Sequence, residues 1–478
     1  MKKIKLVICF FVILFIALSG FNPSDMPVNN EVIHLGSKRE IFVDHYLIDK
    51  LEGIHITMHS PHDEGIVMHF DKPWEGKFCA YVTIIKDTEL YRAYYRGGDL
   101  TCYAESKDGI NWVKPTLRLF EVNGSFKNNV ILATGSATHN FTPFLDTSPD
   151  ARSDQKYKAL GGIFETGLIP FISPDGIHWE KLEDEGVIKK GAFTWGFDSQ
   201  NCAFWSESEQ LYICYFRITT EKGFRSVSRT TSSDFINWTE SVEMTYGNTP
   251  TEHIYIQQTS PYFRAQHIYV AIGARFMRGR QVLTNQQAIK LNVDSTHFKD
   301  ISDAFFMTTR GGNVYDRTFM ESFIRPGIGL SNWVSRTNYP ALNVVQTGPA
   351  EMSIYVVQDY AQPAEHLRRY SLRLDGFTSI SAPFKGGEAI TKPFIFSGKE
   401  LEINYSTSVA GEIRIEIQDE NGKPIPGYTM EESQILIGNE IKRIVAWNGK
   451  ENVKELASRP VRLHIYMKDA DLYSIRFK

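Results

Sequence analysis

Cysteine is scarce in this sequence: five occur in 478 residues. Cys9 sits in the N-terminal apolar run. The other four, Cys79, Cys102, Cys202 and Cys214, are too few for the disulfide framework of a small secreted scaffold. Cys202 and Cys214 flank an expected hairpin. For that pair and for Cys79 with Cys102, free buried thiols and bridges both fit. No Cys/His spacing marks a structural zinc site. An excess of charge of one sign is also missing. Lys+Arg total 52 against 56 Asp+Glu, a formal net charge of -4, which excludes the basic footprint of a nucleic-acid partner. There is no glycine-rich phosphate loop and no G-x-S-x-G elbow. Beyond the first twenty residues no apolar run is long enough to span a membrane, and strong helical periodicity is absent throughout.

At the N-terminus, Lys2, Lys3 and Lys5 precede an unbroken apolar run from Leu6 to Leu18, followed by the small residue Ser19. Thirteen residues at about 1.5 Å each fall short of a hydrocarbon core of about 30 Å. Residues 1–20 therefore read as a secretory signal peptide and 21–36 as a linker, giving a protein that is secreted or periplasmic after cleavage. No cysteine follows the run to carry a lipid.

The most informative feature is internal repetition. Ser106-Lys-Asp108-Gly109-Ile-Asn-Trp112 recurs as Ser173-Pro-Asp175-Gly176-Ile-His-Trp179, and in shorter form as Ser233-Asp234-Phe-Ile-Asn-Trp238. A degenerate copy runs from Thr309 to Tyr315, and a fifth from Ser371 through Asp375-Gly376 to Phe377. The spacings are 67, 60, 76 and 62 residues. Each copy is a polar turn followed by an aromatic anchor, with Asp to accept turn N–H groups and, in most copies, Gly to take positive φ. Upstream lie period-two apolar stretches such as Leu90 to Tyr95, Leu211 to Phe216 and Ile354 to Val357. Shorter strands precede them at Tyr81 to Ile85, Thr142 to Leu145, Cys202 to Trp205, Pro261 to Phe263 and Val344 to Thr347. About four strands per unit and five units predict an all-β protein, a five-bladed β-propeller over 37–380. From 381 the texture changes to short alternating strands with Asn421-Gly422 and Asn448-Gly449 turns, predicting a C-terminal β-sandwich over 381–478.

In such a propeller the innermost strands converge on a central funnel, so the residues leading into them are the candidate site. Hydrolysis of a glycosidic bond needs one carboxyl to protonate the leaving oxygen and another to activate water or attack the anomeric carbon. The carboxylates leading into the inner strands are Glu75, Asp198 and Glu252, with Glu321 ahead of the fifth. Asp198 and Glu75 are the first choices. Trp74, His139, Gln200, Gln258, Arg325 and Arg96 are candidate substrate contacts, Trp74 by stacking on a sugar ring. The aspartates of the repeat read as structural. His55, His59, His62 and His69 crowd one segment without a zinc spacing.

Several stretches carry a family resemblance: Arg39-Glu-Ile-Phe-Val-Asp44, Pro73-Trp74-Glu75-Gly76, Phe197-Asp198-Ser-Gln-Asn201, Ser322-Phe-Ile-Arg325-Pro-Gly327 and Arg373-Leu-Asp-Gly-Phe377. They resemble a family 32/43-like group of exported bacterial proteins. In architecture the chain resembles the five-bladed propeller glycoside hydrolases of families 32, 43, 62, 68 and 117. The resemblance implies a glycosidase fold with an acidic funnel. It gives no catalytic triad, because the Asn-Asp-Pro, Arg-Asp-Pro and Glu-Cys motifs of family 32 are missing here. The sequence thus reads as an exported glycoside hydrolase acting on a poly- or oligosaccharide through paired carboxylates. The rival is a non-catalytic carbohydrate-binding propeller, which would lack a carboxylate pair across the funnel. Lyase chemistry, or arginine-cluster chemistry of the sialidase kind, ranks behind both; sialidases usually have six blades. No cofactor is called for. A calcium ion on the propeller axis fits the architecture, although no ligand pattern points to it.

Overall fold

The short apolar runs fold as strands of five separate antiparallel sheets. The structure is a computed structural model that describes residues 32–478 except 89 and 192. The signal-peptide reading therefore lies outside the described residues. The first blade is Cys79–Asp87, Leu90–Gly97, Leu100–Ser106 and Val130–Leu132; the second is Thr142–Leu145, Tyr157–Gly161, Ile169–Ser173 and Glu180–Lys181. In the third, Trp195–Gly196 and Cys202–Ser206 share the partner Leu211–Thr219, followed by Arg225–Ser232 and Val242–Glu243. The fourth sets Ile254–Ile256 and Thr259–Tyr262 against Ala265–Met277, with Ile301–Thr309 outside. The fifth closes the ring. Tyr339–Pro340 and Val345–Gln346 lie on Glu351–Gln358, then His366–Arg373, and the outermost strand is His62–His69 from the other end of the chain.

The repeated turn is the joint between blades. In three copies a serine hydroxyl accepts the N–H three residues on: Ser106 from Gly109 at 2.9 Å, Ser173 from Gly176 at 2.8 Å and Ser232 from Phe235 at 2.9 Å. The aspartate between them accepts the next two N–H groups, as Asp234 does from Ile236 at 2.9 Å and Asn237 at 2.7 Å. The third copy therefore begins at Ser232, one residue before the sequence reading placed it. Its Phe235 stands where the other copies have glycine and adopts φ +69°. Each turn docks on the preceding blade. Gly109 sits so close to Tyr355 of the fifth blade that a Cβ would meet its hydroxyl at 2.9 Å. Trp179 packs edge-on to Tyr94 of the first blade, and Phe235 packs on Phe144 of the second. The fifth copy has a different task. Asp375 is fully buried where the propeller meets the second sheet, accepting from Tyr262, Ser474 and Asn404 and paired with Arg264 and Arg39.

The second domain is a ten-stranded mixed sheet rather than a C-terminal unit alone. Its long strands Leu401–Asp419 and Val461–Phe477 pair along most of their length, and the sheet also takes in Ile33–Gly36, Arg39–Ile41, Ile48–Glu52 and His55–Met58. This corrects two boundaries: part of the expected linker 21–36 is a paired strand, and the propeller begins near residue 62 instead of 37. Ile33–Gly36 needs the parallel partner Phe394–Phe396, which local sequence does not reveal. The sheet encloses its own core, including Phe394, Trp447 and Phe477. All four described cysteines are free and buried. Cys202 lies opposite Tyr215 and Cys214 opposite Ala203, a one-residue offset that turns the two sulfurs to opposite faces of the blade.

Burial opposes the charge of Asp234, but the turn N–H groups outweigh it and hold the carboxyl down to about 2. A group depressed below the ordinary aspartate value of about 3.9 contributes stability above that pH and loses it as pH falls through the folded value. Asp234→Ala is expected to cost about 1–2 kcal/mol at neutral pH. The difference from wild type should shrink between about pH 4 and pH 2, read by denaturant unfolding.

Candidate active site

The propeller axis is closed by amides. Gln200 donates to Thr83 Oγ1 at 2.9 Å and to the Val82 carbonyl at 3.3 Å, while Gln258 donates to Gln200 Oε1 and, at 2.9 Å, to the Pro340 carbonyl. Both glutamines are buried. They form the floor of the funnel, their polar atoms spent on one another and on Thr83, Val82, Pro340 and Cys202.

Above this floor a continuous circuit of side chains runs round the funnel, drawn from all five blades. It starts at Asp198. Phe197 adopts φ +66°, donates its N–H to the Arg217 carbonyl and buries its ring against Phe216. Asn140 clamps the Phe197 carbonyl and Gly162. That local geometry leaves the side chain of Asp198 in the mouth, 42% exposed. Its Oδ2 accepts from Arg217 Nη2 at 2.7 Å and its Oδ1 meets His139 Nε2 at 2.9 Å. Burial opposes its charge, yet the His139 hydrogen bond and the Arg217 guanidinium prevail and hold it ionised, down to about 2.

From Arg217 the circuit passes to Tyr255, whose carbonyl accepts from Arg217 Nη1 at 3.0 Å and whose ring lies 4.4 Å from the same guanidinium. The Tyr255 hydroxyl accepts from Arg336 Nε at 3.0 Å, and Arg336 contacts His297, itself 3.1 Å from Asp294. The His297 ring lies 5.6 Å from Tyr360, and the Tyr360 hydroxyl accepts from Arg96 Nη2 at 2.7 Å. Arg96 lies 4.7 Å over Tyr81, and the Tyr81 ring is edge-on to His139 at 5.7 Å, which returns to Asp198. Tyr81 reaches this place through a bulge in the first inner strand and φ +55°. Although burial raises the Tyr255 phenol, the cations Arg217, Arg336 and Arg225 prevail and leave it below the ordinary tyrosine range.

The structure thus brings Asp198, His139 and Arg96 together over Gln200 and Gln258, which are buried in the floor, and places Glu75, Trp74, Glu252, Glu321 and Arg325 elsewhere. Glu75 is fully buried within the first blade, 2.6 Å from the Tyr95 hydroxyl and 2.7 Å from Lys114 Nζ, and it accepts the Lys72 N–H. It is an internal brace, and Trp74 beside it is fixed to Asn129 at 2.8 Å. Glu252 is held by Arg317 at 2.8 Å and Arg275 at 3.1 Å in a cleft of about 560 Å³ between the third and fourth blades. Glu321 and Arg325 are exposed. Among the described residues no three His, Cys, Asp or Glu side chains gather as a metal site.

Sequence reasoning missed Arg217, Tyr255, His297 and Arg336. One signal was available: arginine recurs at the end of the middle strand in Tyr95-Arg96, Phe216-Arg217 and Ala274-Arg275. Glu365 was missed too. Burial keeps its carboxyl well above the usual carboxylate range, and both its oxygens accept the Cys79 N–H at 3.1 and 3.2 Å, fixing the start of the first inner strand.

No family model and no curated protein matches the chain. Among solved structures it is similar to an N-acetylgalactosamine deacetylase from F. plautii, at 12% identity and a TM-score of 0.45 over 67% of this chain and 96% of that one. An α-L-arabinofuranosidase from Fusarium graminearum aligns at 11% identity and a TM-score of 0.40, over 65% of this chain and 98% of that one. A fructofuranosidase from Schwanniomyces occidentalis aligns at 10% and 0.38, over 88% and 98%.

Removing one cation from the phenol should be visible directly. In wild type one of the 22 tyrosines is expected to titrate below the ordinary value of about 10. Arg336→Gln should move that titration upward, followed by tyrosinate absorbance, and an unmoved titration would place the lowered phenol elsewhere.

Proposed function

We propose that the protein is an exported glycoside hydrolase that takes a poly- or oligosaccharide into the propeller funnel and breaks a glycosidic bond at Asp198. The observation that supports this reading is the closed circuit itself. It sets a half-exposed, ionised carboxylate at the mouth and holds the buried Tyr255 phenol behind it through a shared arginine, whose charge lowers the phenol's proton affinity. Asp198 acts on the anomeric centre, as nucleophile or by accepting a proton from water; its depressed proton affinity keeps it charged across the neutral range. Tyr255 supplies the proton to the departing oxygen, and Arg217, Arg225 and Arg336 stabilise the phenolate left behind. His139 fixes the orientation of the carboxylate. This arrangement replaces the carboxylate pair expected from sequence, since Glu75 is occupied inside the first blade. The basic and apolar leader supports export.

A second reading, a carbohydrate-binding propeller without turnover, draws on the same geometry. In the circuit Asp198 and Asp294 are each held by a histidine, His139 and His297, and among the described residues no contact pairs the two carboxylates.

Incubation of the purified protein with plant and algal glycans, followed by product analysis, separates the two. Hydrolysis should be detected, Asp198→Asn should lower kcat by about 10²-fold or more, and Tyr255→Phe should lower it by about 10²–10⁴-fold. Activity should also decline on the alkaline side as Tyr255 loses its proton below the ordinary tyrosine pKa. Turnover unchanged in Asp198→Asn removes that residue from the chemistry, and glycan binding without cleavage by wild type selects the binding reading.

A further inference from the structure

The funnel carries more positive charge than its own carboxylates balance. Arg217 is paired with Asp198. Among the described residues no carboxylate lies within salt-bridge distance of Arg96, Arg225 or Arg336, whereas arginines elsewhere in the propeller, such as Arg310 and Arg275, are each bound by two acids. The polar partners of Arg96 are the Phe78 carbonyl and the Tyr360 hydroxyl, and those of Arg336 are Tyr255 and His297. Arg225 rests on aromatic faces, 5.2 Å from the Tyr255 centroid and 5.1 Å from that of Phe276. Arg217 and Arg336 are 4.4 and 5.9 Å from the same Tyr255 ring, so three guanidinium groups crowd one phenol. Burial raises the Glu365 carboxyl near Arg96 well above the usual carboxylate range, and its two oxygens are taken by the Cys79 N–H rather than by the guanidinium.

Like charges drawn together and partly withdrawn from water repel, and ring faces compensate only in part. The whole chain is formally negative, so this concentration of cations is local to the funnel. The Tyr255 phenol, even if ionised, balances one charge. A planar guanidinium offers paired donors matched to the oxygens of a carboxylate or a sulfate. As residues, Arg96, Arg225 and Arg336 are half-buried, and the circuit links them to Asp198.

We propose that Arg96, Arg225 and Arg336 form the recognition site for an anionic sugar, one carrying a carboxylate or a sulfate ester, and that this charged group holds the substrate in place over Asp198. The proposal rests on the reading of the funnel as the carbohydrate site and adds the substrate class. Neutral glycans would leave these cations uncompensated.

The test is affinity electrophoresis of the purified protein through gels containing polygalacturonate, alginate, fucoidan, carrageenan, or the neutral polymers laminarin and arabinan. Wild type should be retarded by at least one anionic polymer and not by the neutral pair, and added salt should weaken the retardation. Retardation by uronate polymers assigns the carboxylate, and by fucoidan or carrageenan the sulfate. Arg225→Gln and Arg336→Gln, each checked for wild-type circular dichroism and melting temperature, should weaken binding about tenfold or more. If either variant unfolds, Arg96→Lys provides the same comparison, because it keeps the charge and loses the planar fork. Retardation by neutral polymers alone, by none of the six, or equally in wild type and folded variants overturns the proposal. Failure of the hydrolase reading looks different. Anionic polymers would still retard the protein, through the same arginines, with no product formed, whereas cleavage of a neutral glycan by a wild type that no anionic polymer retards would leave the hydrolase standing and remove the anionic substrate.

Discussion

The architecture depends on one pairing, between His62–His69 and His366–Arg373. These strands are separated by some three hundred residues, and their antiparallel ladder converts an open series of sheets into a ring. The ring places the inner strands about a common axis, where the first and fifth meet at the bridge between Thr83 and Leu342. Without that closure the glutamine floor and the circuit above it have no reason to assemble, because Tyr81 and Arg96 belong to the first blade while Tyr360 and Arg336 belong to the fifth. A closed sheet arrangement also hides the edges that an open one exposes. The outermost strand is mostly exposed and adds little core. Its contribution is topological.

Electrostatics in the funnel follow from position rather than composition. Asp198 and Glu75 are both acids that precede an inner strand, yet one is left in the mouth and the other is sealed inside a blade against Lys114. Left-handed Phe197 and the Asn140 clamp turn Asp198 outward toward the mouth, whereas the Lys72 and Tyr95 contacts draw Glu75 into the blade. The same logic separates the arginines. Those at the junction with the second sheet are neutralised by Asp375 and Glu402, while at the funnel, among the described residues, Arg217 alone has a carboxylate and Arg96, Arg225 and Arg336 lie against aromatic rings.

Legibility varied with the range of the interaction. The turns were read because their chemistry is local: a serine, an aspartate and a residue at positive φ within four positions form the same hydrogen bonds wherever they occur. Even the shift of the third copy to Ser232 kept its aspartate and tryptophan in register. The inner and middle strands were legible through their apolar alternation. The N-terminal strands of the second sheet were not, since Ile33–Gly36 and His55–Met58 are short and acquire their partners from residues more than three hundred positions away.

The sequence alone determined the all-β class, the number of blades and the turns that join them, because each is encoded in residues that touch along the chain. It also marked the segment leading to Asp198, whose apolar and amide neighbours set that acid ahead of Glu75, but it could not show that Glu75 is sealed inside its blade. Tertiary structure decided which side chains share the funnel, since a propeller brings together one or two positions per blade whose mutual distances appear only once the ring is closed. Tyr255 in its setting of arginines is the clearest case: each cation lies on a strand or loop legible by itself, and only their convergence on one ring gives the phenol its acidity.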